Sequence, residues 1–90
     1  LIDLRKVREI INEHVRIAVG EIEEIEPRIT FAVRGTDTLR YLGKEIWRVN
    51  VEYTPKPKKG EWSFRRTALF AIDAETGAIL EFKEGWSWTR

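Results

Sequence analysis

The spacing of apolar residues changes once along this chain, at Pro27, and that change constrains the fold more than any other feature. Before it, Leu4, Val7, Ile10, Ile11, His14, Val15 and Ala18 recur three and four residues apart, the stripe of an amphipathic helix about four turns long. Asp3 stands where an N-cap belongs and Gly20 where a helix stops. Arg5, Lys6, Glu9, Glu13 and Arg16 fall on the opposite side. The acidic run Glu21, Glu23, Glu24 and Glu26 reads as a solvated edge, and Pro27 breaks whatever helix remains.

After Pro27 the period is two. Ile29, Phe31 and Val33 alternate with Thr30, Ala32 and Arg34, which predicts a half-buried strand ended by Gly35. Residues 36–45 read as a connection, although Leu39, Tyr41 and Leu42 suggest that it packs or continues into a hairpin. Trp47, Val49, Val51 and Tyr53 form the cleanest alternation in the chain. Two prolines bar residues 55–60 from any interior strand, so they form an exposed loop. Residues 62–72 read as a third strand with Trp62, Phe64, Ala68, Phe70 and Ile72 on the core face and a bulge or sheet end near Arg65–Arg66. Asp73-Ala74-Glu75-Thr76-Gly77 is a turn, because Asp bonds the backbone ahead and Gly supplies a positive φ. Residues 78–83 return as a fourth strand with Leu80 and Phe82 inward, and the alternation continues through Trp86 and Trp88.

A helix followed by four strands has one economical arrangement. The helix is marginal alone in water, and a meander exposes an apolar sheet face of the width the helix stripe can cover. The expected fold is therefore α+β, an N-terminal helix packed on a curved four-stranded antiparallel meander of the cystatin-like kind. At 90 residues it forms a single domain over residues 1–90.

Composition removes several functions. Sixteen basic against fifteen acidic residues give a net charge of +1, so no global field draws the chain to nucleic acid or an acidic membrane. There is no cysteine for a disulfide or a common zinc-finger set, and no run of roughly 18 apolar residues to span a bilayer. Met, Cys and Gln are absent and Asn occurs twice, a bias that predicts a heat-adapted source. The chain opens on Leu1 rather than Met, as a processed product or excised domain would.

Candidate chemistry is sparse. His14, the single histidine, lies at the edge of the helix stripe and reads as a packed residue; no nucleophile motif, P-loop or dinucleotide fingerprint accompanies it. No catalytic residue, metal ligand or cofactor site is assigned. Asp73, Glu75 and Glu84 imitate a calcium loop, but Ala78 replaces its required glycine and strand-like residues follow. More weight falls on residues 55–66, where Lys56, Lys58, Lys59, Arg65 and Arg66 face Glu61 alone and interleave with Trp62 and Phe64. Basic groups with aromatic platforms suit single-stranded nucleic acid, yet the strand period assigns both aromatics to the core. Trp86 and Trp88 either cap the core or, if exposed, form an interface to a partner or a second copy.

The Trp47-Arg48-Val49-Asn50-Val51-Glu52-Tyr53 strand and the hairpin Phe70-Ala71-Ile72-Asp73-Ala74-Glu75-Thr76-Gly77-Ala78-Ile79-Leu80 resemble those of PepSY domains. The resemblance covers about half of the chain, while the 55–60 loop and the Trp86–Trp88 tail depart from the family's compact pattern. It implies a helix-plus-sheet fold, an extracellular or envelope-associated setting, and a role as a propeptide-type protease inhibitor or a peptide-binding accessory. It implies no catalytic residues; Asp73, Thr76 and Gly77 match as turn formers. The expected function is a non-catalytic, protein-binding or protease-modulating module that uses the free sheet face or edge, the 55–60 loop and the Trp86/Trp88 end. The alternative is a small nucleic-acid-binding protein using Lys56, Lys58, Lys59, Arg65, Arg66 and a stacking Trp62.

Overall fold

The computed structural model describes residues 1–86 of the chain, Trp86 by its backbone alone. Helix α1 (Leu4–Ala18) begins where its first orphan amides find an acceptor: the Asp3 carboxylate takes the Lys6 N–H at 2.9 Å. It ends as Gly20 turns to φ 100°, a backbone conformation that costs a residue without a side chain little. Asp3→Ala is expected to cost about 1 kcal/mol, read as a lower urea midpoint at unchanged m.

Four strands follow: β1 (Arg28–Asp37), β2 (Lys44–Tyr53), β3 (Arg66–Asp73) and β4 (Ile79–Trp86), all antiparallel in the order β1-β2-β3-β4. The expected architecture, one helix packed on a four-stranded meander, is what forms. Val7, Ile11 and Val15 of α1 are buried against Val49, Val51 and Tyr53 of β2 and Ala68, Phe70 and Ile72 of β3. Both helix ends are tied down. Ile2 N–H donates to Ala74 O at 2.7 Å and Trp47 Nε1–H donates to Ile2 O at 3.0 Å. Past the helix, Ile22 forms an isolated bridge with Pro55.

Three local expectations give way. In β1 the register slips between Ile29, opposite Val51, and Phe31, opposite Asn50. Thr30 is the extra residue, and its hydroxyl donates to Asn50 O at 3.2 Å. Beyond this bulge the faces exchange: Ala32 joins the helix-side core, while Phe31 and Val33 leave it. A second slip in β4 lies between Glu81, opposite Ala71, and Ile79, opposite Ile72, so the expected inward Leu80 becomes the unpaired residue and is partly exposed. Finally, β3 starts at Arg66, so Trp62 and Phe64 belong to the preceding loop and are exposed. The strand period broke at the predicted place, but no pairing extends across it.

Candidate functional site

The sheet has one face under α1 and one without a helix. Period-two alternation along the strands gives the second face Arg48, Asn50, Arg65 and Thr67, a polar set. The β1 bulge changes that: Phe31, 53% exposed, lies beside Asn50, with Leu69, 51% exposed, on the next strand. Val33 sits one step along, opposite Arg48. Charge rims this apolar centre, with Arg28 and Arg65 each 4.0 Å from Glu52, and Lys83 2.9 Å from Glu81. An apolar middle with a charged border is the composition of a contact surface.

The β1–β2 connection closes one end of this face. Asp37 accepts the N–H groups of Leu39 (3.0 Å), Arg40 (2.7 Å) and Tyr41 (3.3 Å) on one carboxylate oxygen, while Arg48 pairs with the other. Tyr41 Oη donates to Glu81 at 2.9 Å and Arg40 lies 3.3 Å from the same carboxylate. A turn leaving the β1 edge thus reaches β4, and beneath it Ile46 and Ala71 are buried outside the helix-side core. At the tip Leu39 and Leu42 are almost fully exposed, and Leu42 holds φ 52°, strained for a side chain of its kind. The turn is pinned by hydrogen bonds to Asp37 and Glu81, and its leucines face solvent.

These carboxylates also set the acid limit of the fold. Backbone donation from Arg40 holds Asp37 below its ordinary range, and donation from Glu75 N–H with Lys44 beside it does the same for Asp73. Lys83 and the Tyr41 hydroxyl lower Glu81. Burial pushes Glu24 up, but the Thr54 N–H and hydroxyl outweigh it and leave it lowered. A carboxylate lowered on folding binds fewer protons than in the unfolded chain, so its stabilisation is present above the unfolded value and vanishes as pH falls through the folded one. The melting temperature is expected to hold between about pH 7 and 5 and to fall steadily below about pH 4.5. Calorimetry across that range checks it, and a flat profile contradicts it.

The 55–65 loop leaves β2 and returns to β3 at the opposite end of the sheet. It is rooted against the acidic segment, with Lys56 N–H donating to Glu21 O at 3.0 Å and Glu23 N–H to Thr54 O at 2.8 Å. The Glu24 carboxylate holds Thr54 through its N–H at 2.8 Å and its hydroxyl at 2.9 Å, and Glu26 holds Arg8 at 3.2 Å and Asn12 at 3.0 Å. The supposed solvated edge is therefore a docking strap, Glu24 and Glu26 being spent on the fold. Of the expected binding residues, Lys56 pairs with Glu21 at 3.4 Å, Arg65 lies 4.0 Å from Glu52, and Arg66 lies 3.2 Å from Glu84. Among the described residues, no carboxylate lies within 4 Å of Lys58 or Lys59. Trp62 is 87% exposed and Phe64 is half-exposed, so the core assignment of both is corrected. The Trp86 side chain and the whole of Trp88 lie outside the described residues.

Residues with chemical potential elsewhere are held in structural roles. His14 sits edge-on between Phe70 and Phe82, ring centroids 5.6 and 4.6 Å away. Ser63 donates its hydroxyl to Pro55 O. Asp73 accepts the Glu75 and Thr76 N–H groups and pairs with Lys44 at 3.1 Å, a turn former as expected. Among the described residues, no three His, Asp or Glu side chains gather to hold a metal, and no helix is long and apolar enough to cross a membrane.

Sequence reasoning missed Phe31, Leu69, Leu39 and Leu42. Simple alternation assigned Phe31 to the core, and Leu39 and Leu42 pointed to a packed connection rather than an exposed tip. Comparison with protein-family models, with curated proteins and with solved structures finds no match.

Proposed function

We propose that the chain is a non-catalytic, PepSY-like module that binds a protein or peptide on the helix-free face of its sheet. The observation that carries this reading is the outward turn of Phe31 and Val33 beside Leu69, bordered by the pinned turn that displays Leu39 and Leu42. Burying such side chains releases about 25 cal/mol per Å² of apolar surface. A rigid scaffold supplies that surface without first having to order it. The face is a better candidate than either edge. Both edge strands carry a bulge, at Thr30 and Leu80, and a bulge twists an edge away from strand addition.

The test is a peptide-display selection against the folded chain, repeated on Phe31→Lys/Leu69→Lys. The reading expects enriched peptides whose affinity falls at least about tenfold on the double variant, the size of one lost anchor. No enrichment, or binding indifferent to both substitutions, overturns it. In its protease-modulating form the chain lowers the activity of a secreted peptidase. A titration to about a hundredfold excess that changes no rate across serine, cysteine and metallo-peptidases removes that form.

A second reading draws on a separate observation, the exposure of Trp62 beside Lys58 and Lys59. Aromatic and cationic side chains together suit single-stranded nucleic acid. Glu21, Glu52 and Glu84 flank the same loop and cancel much of its field, which favours the protein-partner reading. Titrating a labelled oligonucleotide at about 50 and 200 mM salt separates the two, because phosphate contacts lose affinity steeply over that range.

A further inference from the structure

The end of the molecule that bears the 55–65 loop also bears a groove of opposite character. The C-terminal half of α1 and the 20–27 strap enclose an open cleft of about 600 Å³, with Ile22 and the exposed Ile25 along it, Val15 and Pro27 buried beneath, and Glu9, Glu13 and Glu21 among its walls, Glu13 paired with Arg16 at 2.5 Å. Asn12 lines the same cleft. Its amide nitrogen donates to Glu26, and its Oδ1 is buried without a partner among the described residues. The loop has the complementary inventory. Among the described residues Lys58 and Lys59 have no carboxylate within 4 Å, and Trp62 presents a large apolar ring and an N–H donor to solvent.

Cleft and loop share a root. Ile22 bridges Pro55, and Lys56 N–H donates to Glu21 O, so each cleft has its own loop directly beside it. We propose that this end is self-complementary: two copies pair about a two-fold axis, the Lys58–Trp62 tip of each loop seated in the other's cleft. Adjacency makes the contact reciprocal and closed, since placing one loop in the facing cleft brings the second loop to the first cleft. Reciprocity also doubles the area buried, which matters because stable interfaces need roughly 1,200–2,000 Å² in total. Trp62 exchanges water for Ile22 and the exposed Ile25, and the two lysines meet Glu9 and Glu13, the latter shared with Arg16. The helix-free sheet face stays open in the pair, so dimer and partner binding are separable.

Sedimentation equilibrium of the full chain from about 5 to 500 µM is the test, at low salt and at about 0.5 M, where screening is strong. The mass is expected to rise with concentration toward twice the 10.6 kDa of one chain, and less at high salt. Lys58→Glu/Lys59→Glu and Glu9→Lys/Glu13→Lys are each expected to weaken pairing at least tenfold, with circular dichroism unchanged. An equimolar mixture of those two variants is expected to pair again, since each loop then meets a cleft of opposite sign. Trp62→Ser is expected to weaken pairing with the fold intact. A chain still monomeric at the highest concentration overturns the proposal, as does a dimer indifferent to both charge reversals. A monomeric chain that binds a synthetic 55–65 peptide overturns it too, and makes the cleft a site for a foreign basic peptide.

Discussion

Phe70→Ala is expected to destabilise the chain by about 3–5 kcal/mol, the usual loss for a buried aromatic ring. A domain of this size holds roughly 5–13 kcal/mol in all, so this single truncation removes a large share. Phe70 is 2% exposed, lies opposite Val49 and Phe82 on the neighbouring strands, and meets the His14 ring of α1. Removing it leaves a void where helix and sheet join, and leaves His14 with Phe82 alone. Urea unfolding followed by far-ultraviolet circular dichroism measures the loss. A cost below about 1 kcal/mol, the level of an ordinary surface change, would mean that α1 does not rest on β3.

The second large effect is a contrast inside β1. Ile29→Asp is expected to cost more than about 3 kcal/mol, because it sets an unpaired carboxylate against the helix-side core. Phe31→Asp, two residues on, is expected to stay within about 1 kcal/mol, because Thr30 has turned that position to the open face. Uninterrupted alternation puts both side chains in the core and predicts two comparable losses. Paired urea curves decide between them. Equal destabilisation would place Phe31 under the helix and remove the apolar centre of the proposed binding face.

The architecture was legible because its signals are redundant. Asp3, the Val7-Ile11-Val15 stripe and Gly20 each mark the same helix, and Trp47, Val49, Val51 and Tyr53 mark the central strand without competition. The Asp73–Gly77 turn was legible for a chemical reason, since Asp73 binds the backbone ahead and Gly77 takes φ 80°. Failures cluster where a single residue shifts the register. Nothing in Ile29-Thr30-Phe31 distinguishes a bulge from continued alternation, and Leu80 is equally silent. Each slip exchanges the faces of a strand, so one unread residue hid Phe31 and Val33 from the candidate surface. The same period carried Trp62 and Phe64 into a strand that starts only at Arg66. The docking of Glu24 on Thr54 was beyond reach for another reason: thirty residues separate them, and a run of four glutamates carries no mark of which one has a distant partner.

The central claim is that the bulged first strand turns its aromatic side chain away from the helix and onto a face left open for a partner. The most direct measurement is the set of nuclear Overhauser contacts of the Phe31 ring in the free chain. Contacts to Asn50 and Val33, with none to Val7, Ile11 or Val15, are the predicted result. Contacts from that ring to any of those three helix residues would contradict it.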